Sequence, residues 1–121
     1  GFATLFSQQD TEIDEGVYIG PQCNIGKCAI GKNTLLGSGV HIMSGKGQHN
    51  FSDPEKPIKD QGGVFTKVII GENCWLGNGA LIMANVGKGS VVAAGSVVVD
   101  DVPEGVIVGG NPAKVLKKIS V

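Results

Sequence analysis

The sequence of 121 residues contains no arginine, one tryptophan and one tyrosine, and it offers no long stretch of residues that favour helices. Its 20 glycines recur every few residues, with β-branched residues between them. A glycine inside a helix costs about 1 kcal/mol relative to alanine, so this spacing excludes a mainly helical domain. The glycines follow no Gly-X-Y period, which excludes a collagen-like chain. A hydrophobic fraction of 41% with a net charge of -1 predicts one folded domain.

The sequence also lacks a basic net charge, a membrane-spanning apolar run and paired cysteines, and each absence argues against a class of protein. The near-zero net charge gives no basic field for a nucleic-acid backbone. The sequence has neither an apolar run near the roughly 18 residues that span a bilayer nor a signal-peptide pattern, so we expect no membrane span. Cys23, Cys28 and Cys74 are an odd number without a Cys-x-x-Cys pair, which argues against a disulfide framework and against a zinc site. A reducing, cytoplasmic location is therefore expected.

A period of six residues runs through the chain. A large aliphatic residue is followed by glycine, as in Ile19-Gly20 and Leu76-Gly77, and a small residue such as Cys23, Ala29 or Ser90 stands four positions after the aliphatic one. This period does not match the helical repeat of 3.6. It predicts a coil of short parallel strands, three hexads to a turn, with glycine or asparagine accepting positive φ at the turns. The alternative, a β-sandwich, needs hairpin signals every 8 to 12 residues.

The repeat is interrupted in several places. It is one residue short between Ile25 and Ile30 and two short between Ile82 and Val86, which predicts corners that are tightened or reshaped. Residues 43–67 lack the pattern altogether, and their aromatic and proline content predicts an ordered inserted loop. At the end of the chain, Asn111 and Pro112 form a helix-start pattern ahead of an apolar stripe, so a C-terminal helix is predicted over residues 111–119.

These features resemble the hexapeptide-repeat acyltransferases, and within them the branch that O-acetylates sugars, including capsule and exopolysaccharide units and maltose or galactosides. The resemblance covers Thr11 to Ile119. It is carried by the hexads and by the segments HNFSDPEKPIKDQGG, VIIGENCWLGNGALIM, GKGSVVAAGSVVVDDVPEG and GGNPAKVLKKI in that order. Relatives commonly have several tens of residues before the first coil, and this chain begins at Gly1 without methionine, which is compatible with a missing N-terminal segment.

The resemblance implies a single left-handed parallel β-helix domain over residues 1–121, assembled as a homotrimer with active sites between adjacent subunits. It also implies acetyl-CoA as the acetyl donor, a small-molecule sugar as the acceptor and no metal in the chemistry. Neither the handedness nor the trimer follows from the periodicity.

Acetyl transfer from a thioester to a hydroxyl needs a base that removes the hydroxyl proton, and histidine can do this near neutral pH. The chain has two histidines. His41 stands at an outward hexad position, so we expect it at the surface or an interface. His49 lies in the inserted loop, and the resemblance at His-Asn-Phe makes it the predicted general base. Asp53, Glu55 or a backbone carbonyl could orient its ring.

The remaining site predictions concern the oxyanion, the donor and the acceptor. A backbone N–H of Gly62 or Gly77 could bind the oxyanion of the tetrahedral intermediate. Small coil-edge residues suit the pantetheine arm of CoA, and lysines must meet its phosphates because arginine is absent. With the resemblance placing Asn78, Ala94 and Gly95 at the donor site, the predicted cofactor-binding residues are Gly77, Asn78, Ala94, Gly95, Lys114 and Lys117. Trp75 and Gln61 are the predicted substrate-binding residues, Trp75 because it is expected to face outward.

Two other functions fit the same coil less well. A zinc lyase of the γ-carbonic-anhydrase type needs three histidine ligands, and the chain has only His41 and His49. A non-catalytic trimeric scaffold or binding protein is favoured if His49 points away from any cleft. What the resemblance implies, an acetyl-CoA-dependent O-acetyltransferase, is therefore the predicted function.

Overall fold

The computed structural model describes residues 3–5 and 10–119, with side chains from residue 10 onward. The two ends of the predicted 1–121 domain lie outside the described residues. In the described part, fourteen short strands follow one another. They are β1 Ala3–Leu5, β2 Glu12–Ile13, β3 Tyr18–Ile19, β4 Cys23–Ile25, β5 Cys28–Ile30, β6 Leu35–Leu36, β7 His41–Ile42, β8 Val68–Ile70, β9 Trp75–Leu76, β10 Leu81–Ile82, β11 Val91–Val92, β12 Val97–Val98, β13 Val106–Gly110 and β14 Ala113–Lys118.

The strands stack into three faces of a prism. The loop face has the order β1-β4-β7-β10-β12, the tail face β14-β13-β11-β9-β6-β3, and the short face β2-β5-β8. Every pair up to β13 is parallel, and the short face continues as single bridges from Ile70 to Val86 and from Val86 to Val102. From β1 to β13, successive strands lie on different faces, which confirms the predicted coil and excludes the sandwich.

Aliphatic residues of the hexads form ladders inside the prism. On the loop face Ile25, Ile42, Ile82 and Val98 are paired in register, and each is at most 2% exposed. The tail face contributes a ladder of Leu36, Leu76, Val92 and Val108. Burying each such side chain contributes about 1.5–3 kcal/mol relative to exposure, so these ladders are the main source of stability.

The small inward residues also connect the coils. The Thr34 hydroxyl donates to the carbonyl of Gly71 at 2.8 Å, the Ser90 hydroxyl donates to Pro103 O at 2.5 Å, and the Cys74 thiol donates to Gly87 O at 3.2 Å. The period places Ala29 at a small inward position, and this prediction is wrong. Cys28 is fully buried, whereas Ala29 is only half-buried, because the missing residue between Ile25 and Ile30 shifts the inward position by one.

Glycine occupies two kinds of position in the hexads. A Cβ on Gly71, which follows a core aliphatic, would lie 2.6 Å from the backbone nitrogen of Lys88 in the next coil, so a side chain has no room there. Positive φ occurs two residues later, at Asn73 (53°) and at the equivalent Gly89 (71°). The glycine after the aliphatic therefore permits close stacking, and the later residue makes the turn.

The hexad that is two residues short is completed by side chains. Asn85 precedes the bridge residue Val86, and its Oδ1 accepts the Ile69 N–H at 2.8 Å. The Asn85 N–H in turn donates to Oδ1 of Asp101 at 3.0 Å. These bonds occupy backbone donors that a full-length strand would pair, so the corner is tightened, as the sequence predicted.

The predicted C-terminal helix over residues 111–119 is wrong. The chain turns at Asn111 and Pro112, and β14 then runs antiparallel to β13, with Ala113 opposite Gly110 and Lys118 opposite Val106. A helix of nine residues has little stability by itself. Strand pairing instead covers the free edge of β13, whose N–H and C=O groups would otherwise be exposed. Tertiary pairing thus overrides the local helix-start pattern.

Candidate active site

The inserted loop leaves the prism after β7 and returns at β8, and it is braced by its own backbone. The N–H of Thr66 donates to Ser44 O at 2.9 Å, Val64 to Gly47 O at 2.7 Å, and Asn50 to Gly62 O at 2.7 Å. The outgoing and returning arms are therefore joined at three levels. His49 lies on the outgoing arm next to the outermost of these bonds, and its side chain is exposed.

The two arms approach most closely at Gly63. A Cβ on Gly63 would lie 2.0 Å from the carbonyl oxygen of Gln48 and 2.8 Å from the nitrogen of His49. Only glycine leaves room for this contact. Gly63 therefore allows the returning arm to pack directly against the Gln48–His49 peptide. Nothing in the hexad pattern pointed to this residue.

Gln61 organises the tip of the loop. Its Nε2 donates to the carbonyls of Asp53 and Lys56, both at 2.7 Å, and its Oε1 accepts the Asp53 N–H at 3.1 Å. Gln61 directly follows a short 3₁₀ turn over Ile58–Asp60. The amide of Gln61 is thus engaged within the loop, and its predicted contact with the acceptor stays a prediction.

The His49 ring meets the Phe65 ring edge-on, with centroids 6.4 Å apart and planes at 79°. In the described part of the chain no hydrogen bond orients the imidazole. Of the carboxylates considered for that purpose, Asp53 is engaged within the loop, where its Oδ1 accepts the Glu55 N–H at 3.0 Å. An aromatic edge and the braced backbone, rather than a carboxylate, position the ring in this structure.

The predicted cofactor residues meet on the tail face. Trp75, Gly77, Asn78 and Ala94 line a groove of about 370 Å³, and the N–H of the adjacent Gly95 donates to Asn78 O at 2.9 Å. The side chain of Asn78 reaches back to the preceding coil, where its Oδ1 accepts the Ser38 N–H at 2.9 Å. The groove is therefore a rigid part of the coil.

The two predicted phosphate-binding lysines lie on β14, in the same sheet as this groove. Lys114 is opposite Gly109 and Lys117 is opposite Ile107, which pairs in turn with Val91 of the groove. Both lysines are exposed. The structure brings the tail-face predictions together, although β14 is a strand and not the helix on which the lysines were expected.

Gly77 cannot supply the oxyanion donor. Its backbone N–H already donates to Val92 O at 2.8 Å in the next coil. Gly62, the other candidate, lies in the loop with φ of 76°. Its N–H stays a predicted oxyanion donor.

An apolar row that the sequence did not single out crosses the outside of the tail face. Tyr18, Leu35 and Trp75 occupy successive rungs in register and are 59%, 40% and 52% exposed. Only the outward position of Trp75 was predicted. The row could be found from the hexads alone by aligning the residue before each tail-face aliphatic.

The cysteines lack the features of nucleophiles. Cys23, Cys28 and Cys74 are free thiols and are buried in the prism. Burial raises the pKa of Cys28 to about 11, against a smaller opposing effect of Lys67, and burial also raises the pKa of Cys74. Both thiols therefore stay protonated at neutral pH, where the thiolate would be the reactive form.

Within residues 10–119, no three histidine, cysteine or carboxylate side chains come together as a metal site. The described residues also include no helix long and apolar enough to cross a membrane.

Comparison with known proteins identifies the family. A family model described as the hexapeptide repeat of succinyl-transferase matches residues 67–100. The chain is 32% identical to the galactoside O-acetyltransferase of Lactococcus lactis subsp. lactis (strain IL1403), over 96% of this chain and 67% of that protein.

Solved structures agree with this assignment. The polySia specific acetyltransferase NeuO is 27% identical, with a TM-score of 0.72 over 92% of this chain and 54% of NeuO. The maltose O-acetyltransferase from Clostridium difficile 630 is also 27% identical, with a TM-score of 0.68 over 98% of this chain and 67% of that one.

The chain belongs to the hexapeptide-repeat acetyltransferase family, and its coil is a left-handed parallel β-helix. Its homologues include sugar O-acetyltransferases. The chain spans between 24% and 67% of the length of several curated relatives that it matches.

Proposed function

We propose that this protein transfers the acetyl group of acetyl-CoA to a hydroxyl of a sugar or polysaccharide precursor, with His49 as the general base. The observation that carries the proposal is the presentation of His49. An exposed histidine is held on a loop braced at three backbone levels, which interrupts the coil of an acetyltransferase family. A loop braced in this way holds its histidine at a defined position, as general-base catalysis requires of a group that must meet a reacting atom.

In the proposed reaction the neutral His49 ring removes the proton of the acceptor hydroxyl as its oxygen attacks the thioester carbonyl. A tetrahedral intermediate forms, for which the Gly62 N–H is the predicted oxyanion donor. Collapse of the intermediate breaks the carbon–sulfur bond, and the proton held by His49 passes to the leaving sulfur. The products are the O-acetyl sugar and CoA with a free thiol, so no metal is needed.

The tail-face groove is the proposed site of the acetyl donor. Gly77, Asn78, Ala94 and Gly95 would border the pantetheine arm, and Lys114 and Lys117 would meet the phosphates of CoA. The groove of small residues and the basic strand β14 belong to the same sheet, which supports this assignment. Trp75, exposed at the edge of the groove, would form a wall near the acceptor. A cytoplasmic location, where acetyl-CoA is made, fits the three free thiols.

A homotrimer is part of the proposal. The braced loop belongs to the loop face, whereas the small-residue groove belongs to the tail face, so the base and the donor groove of one chain lie on different sides of its prism. Packing the tail face of one copy against the loop of the next would unite them and would cover the apolar row of Tyr18, Leu35 and Trp75.

The first test is a thiol-release assay with acetyl-CoA and a panel of sugars that includes a galactoside and maltose. His49→Ala should lower the rate by about 10²- to 10⁴-fold, since general-base catalysis contributes that much. Phe51→Ala, an exposed change two residues away, is the matched control and should keep most of the activity. Equal thiol release by the wild type and His49→Ala would refute the catalytic assignment, and acetyl-CoA binding without any transfer would favour a scaffold.

A further inference from the structure

A second cleft lies on the loop face, between the coil and the inserted loop. Asn24, His41 and Met43 line it from the coil, and Gln48 and Phe65 line it from the loop. Its volume is about 440 Å³, within the range of roughly 300–1,000 Å³ that small-molecule sites occupy. None of the site predictions drawn from the sequence falls in this cleft.

The wall that the loop contributes is fixed to the coil. The ammonium of Lys27 donates to Phe65 O at 3.3 Å, and the N–H of Thr66 donates to Ser44 O at 2.9 Å. The N–H of Lys27 donates to the Ser44 hydroxyl at 2.8 Å, and this bond connects the outgoing arm of the loop to the coil. The cleft is therefore formed before any ligand enters, and a ligand would lose little affinity to ordering it.

The cleft contains a pair of polar side chains on neighbouring rungs. Asn24 and His41 are in register on β4 and β7, and Nδ2 of Asn24 donates to Nδ1 of His41 at 3.0 Å. Because Nδ1 accepts this bond, the neutral ring carries its proton on Nε2, which is then a donor. The next two rungs outside the coil are Leu81 and Val97, so the polar pair is confined to the cleft.

The lining indicates the chemistry of the ligand. Phe65, 44% exposed, and Met43 offer an apolar wall, while His41, Asn24 and Gln48 offer hydrogen bonds. The described residues lining the cleft include no carboxylate, ammonium or guanidinium group. A saccharide ring combines an apolar C–H face with a hydroxyl edge and carries no charge, so it fits this lining better than the phosphates of CoA do. The Lys27 ammonium is bonded to the Phe65 carbonyl and is not among the lining residues.

We propose that this cleft receives the saccharide ring of the acceptor and that His41, oriented by Asn24, donates a hydrogen bond to one of its oxygens. This inference rests on the proposed acetyl transfer and adds the acceptor's binding residue. His41 contacts the ligand and sets acceptor preference, Asn24 is a positioning residue that acts through the ring of His41, and His49 keeps the role of base.

The test separates acceptor binding from donor binding and turnover. For a panel sugar that the wild type acetylates, His41→Ala should raise the acceptor KM about tenfold, the equivalent of one lost hydrogen bond, and leave the acetyl-CoA KM unchanged. Val97→Thr, a change in the same outward row beyond the cleft, is the matched control and should leave both KM values unchanged. Melting curves check that each variant is folded.

Asn24→Asp gives a sharper readout, because it keeps the His41 ring in place and reverses its hydrogen bond. The carboxylate accepts from Nδ1–H, but it also favours the imidazolium, whose Nε2–H still donates, so the acceptor KM is measured over a pH series. At the alkaline end the ring is neutral with its proton on Nδ1, and Nε2 can no longer donate. The acceptor KM should therefore rise there as much as in His41→Ala. Asn24→Gln keeps an amide donor and should raise the acceptor KM less than Asn24→Asp does. A role for Asn24 in coil stability alone would lower the melting temperature and leave the acceptor KM unchanged.

Binding without turnover distinguishes failure of this inference from failure of the proposed function. Saturation-transfer NMR with methyl β-galactoside and with maltose, in the absence of acetyl-CoA, should show binding that His41→Ala weakens. If His49→Ala abolishes transfer but His41→Ala changes neither the acceptor KM nor this signal, the cleft assignment is overturned and acetyl transfer stands. If the sugars bind through His41 but no sugar is acetylated, the proposed function fails and the saccharide cleft stands.

Discussion

Single residues determine how closely the coils stack. Gly71 lies against the backbone of Lys88, so a side chain there must push two coils apart, whereas Gly89 faces open space and needs glycine only for its φ of 71°. Asparagine already occupies the equivalent turn position at Asn33 and Asn73, with φ of 62° and 53°. The two glycines should therefore respond differently to substitution.

We expect Gly71→Ala to lower the free energy of unfolding by about 1–3 kcal/mol, as overpacking of a close-packed interior does. Gly89→Asn should change it by less than about 1 kcal/mol, because asparagine tolerates the left-handed region. Urea unfolding of both variants measures the difference. Comparable losses in the two variants would contradict the distinction between stacking and turn glycines.

Cys28 gives the molecule a specific sensitivity to alkaline pH. Burial raises its pKa from 9.0 to about 11 in the folded protein. Between these two values the unfolded chain releases the thiol proton while the folded chain retains it, so stability falls as pH rises from about 9 to about 11. Below pH 9 the contribution is fully present.

The melting temperature of the wild type should therefore fall more steeply between pH 9 and 11 than that of Cys28→Ala. The comparison is one of slopes, since the smaller side chain also leaves a cavity that lowers stability at every pH. Alkylation at pH 8 should leave the buried thiols of the folded protein unmodified and should label them in urea. Parallel slopes for the two proteins would contradict the assignment of the pKa shift to Cys28.

At the scale of elements, the inserted loop is held by hydrogen bonds rather than by a core. Its large apolar side chains, such as Phe51 and Ile58, are exposed at 77% and 54%, and Gln61 makes three hydrogen bonds across the tip. Gln61 therefore stabilises the loop locally and contributes little to the coil. Substitution should loosen the loop without unfolding the prism.

Gln61→Ala should speed hydrogen exchange of the Asp53 and Gln61 amides and sensitise the loop to proteases, while the melting temperature shifts by only a few degrees. If Gln61 acts through the loop, kcat falls because the bracing of His49 is weaker. A rise in acceptor KM with unchanged loop exchange would instead support the predicted contact with the acceptor. Gln61→Glu is a useful comparison, since a carboxylate cannot donate to the Asp53 and Lys56 carbonyls.

The tail shows why local patterns can fail. Asn111-Pro112 followed by Val115, Leu116 and Ile119 is compatible with a helix start, but Asn111 and Pro112 form a turn and Ala113–Lys118 pairs as a strand with β13. Leu116 then folds over Gly109, where a Cβ would lie 2.9 Å from its Cδ1. This segment is a strand because the folded coil leaves the edge of β13 open for pairing. The local sequence does not reveal that edge.

At the scale of the whole molecule, the proposed trimer can be tested by placing charges on different faces of the prism. The chain of 12.4 kDa should elute with light scattering near 37 kDa, about three times its mass. Leu35→Glu places a charge in the exposed tail-face row and should dissociate the assembly, since burying an unpaired carboxylate is costly. Ile69→Glu, at a similarly exposed position on the short face, is the control and should stay trimeric.

The same pair of variants tests whether the site is shared between copies. A dissociated Leu35→Glu should lose acetyl transfer although the hexad core and His49 are unchanged, while Ile69→Glu should retain it. Full activity from a monomeric variant would show that one prism contains the complete site.

The six-residue period by itself determined the coil, because an aliphatic ladder and a bare stacking glycine are both local requirements that recur in each hexad. It also marked the loop with His49 as an interruption, and the resemblance of HNFSDPEKPIKDQGG supplied the chemistry. Only the tertiary structure decided that the tail is a strand, that the N–H of Gly77 is engaged, and that Asn24 and His41 share a cleft with Phe65. The cleft depends on Asn24, His41 and Phe65 meeting although they are 17 to 41 positions apart in the chain, and no local spacing encodes that contact. The other two outcomes depend on pairing with a neighbouring strand that only the folded coil places there.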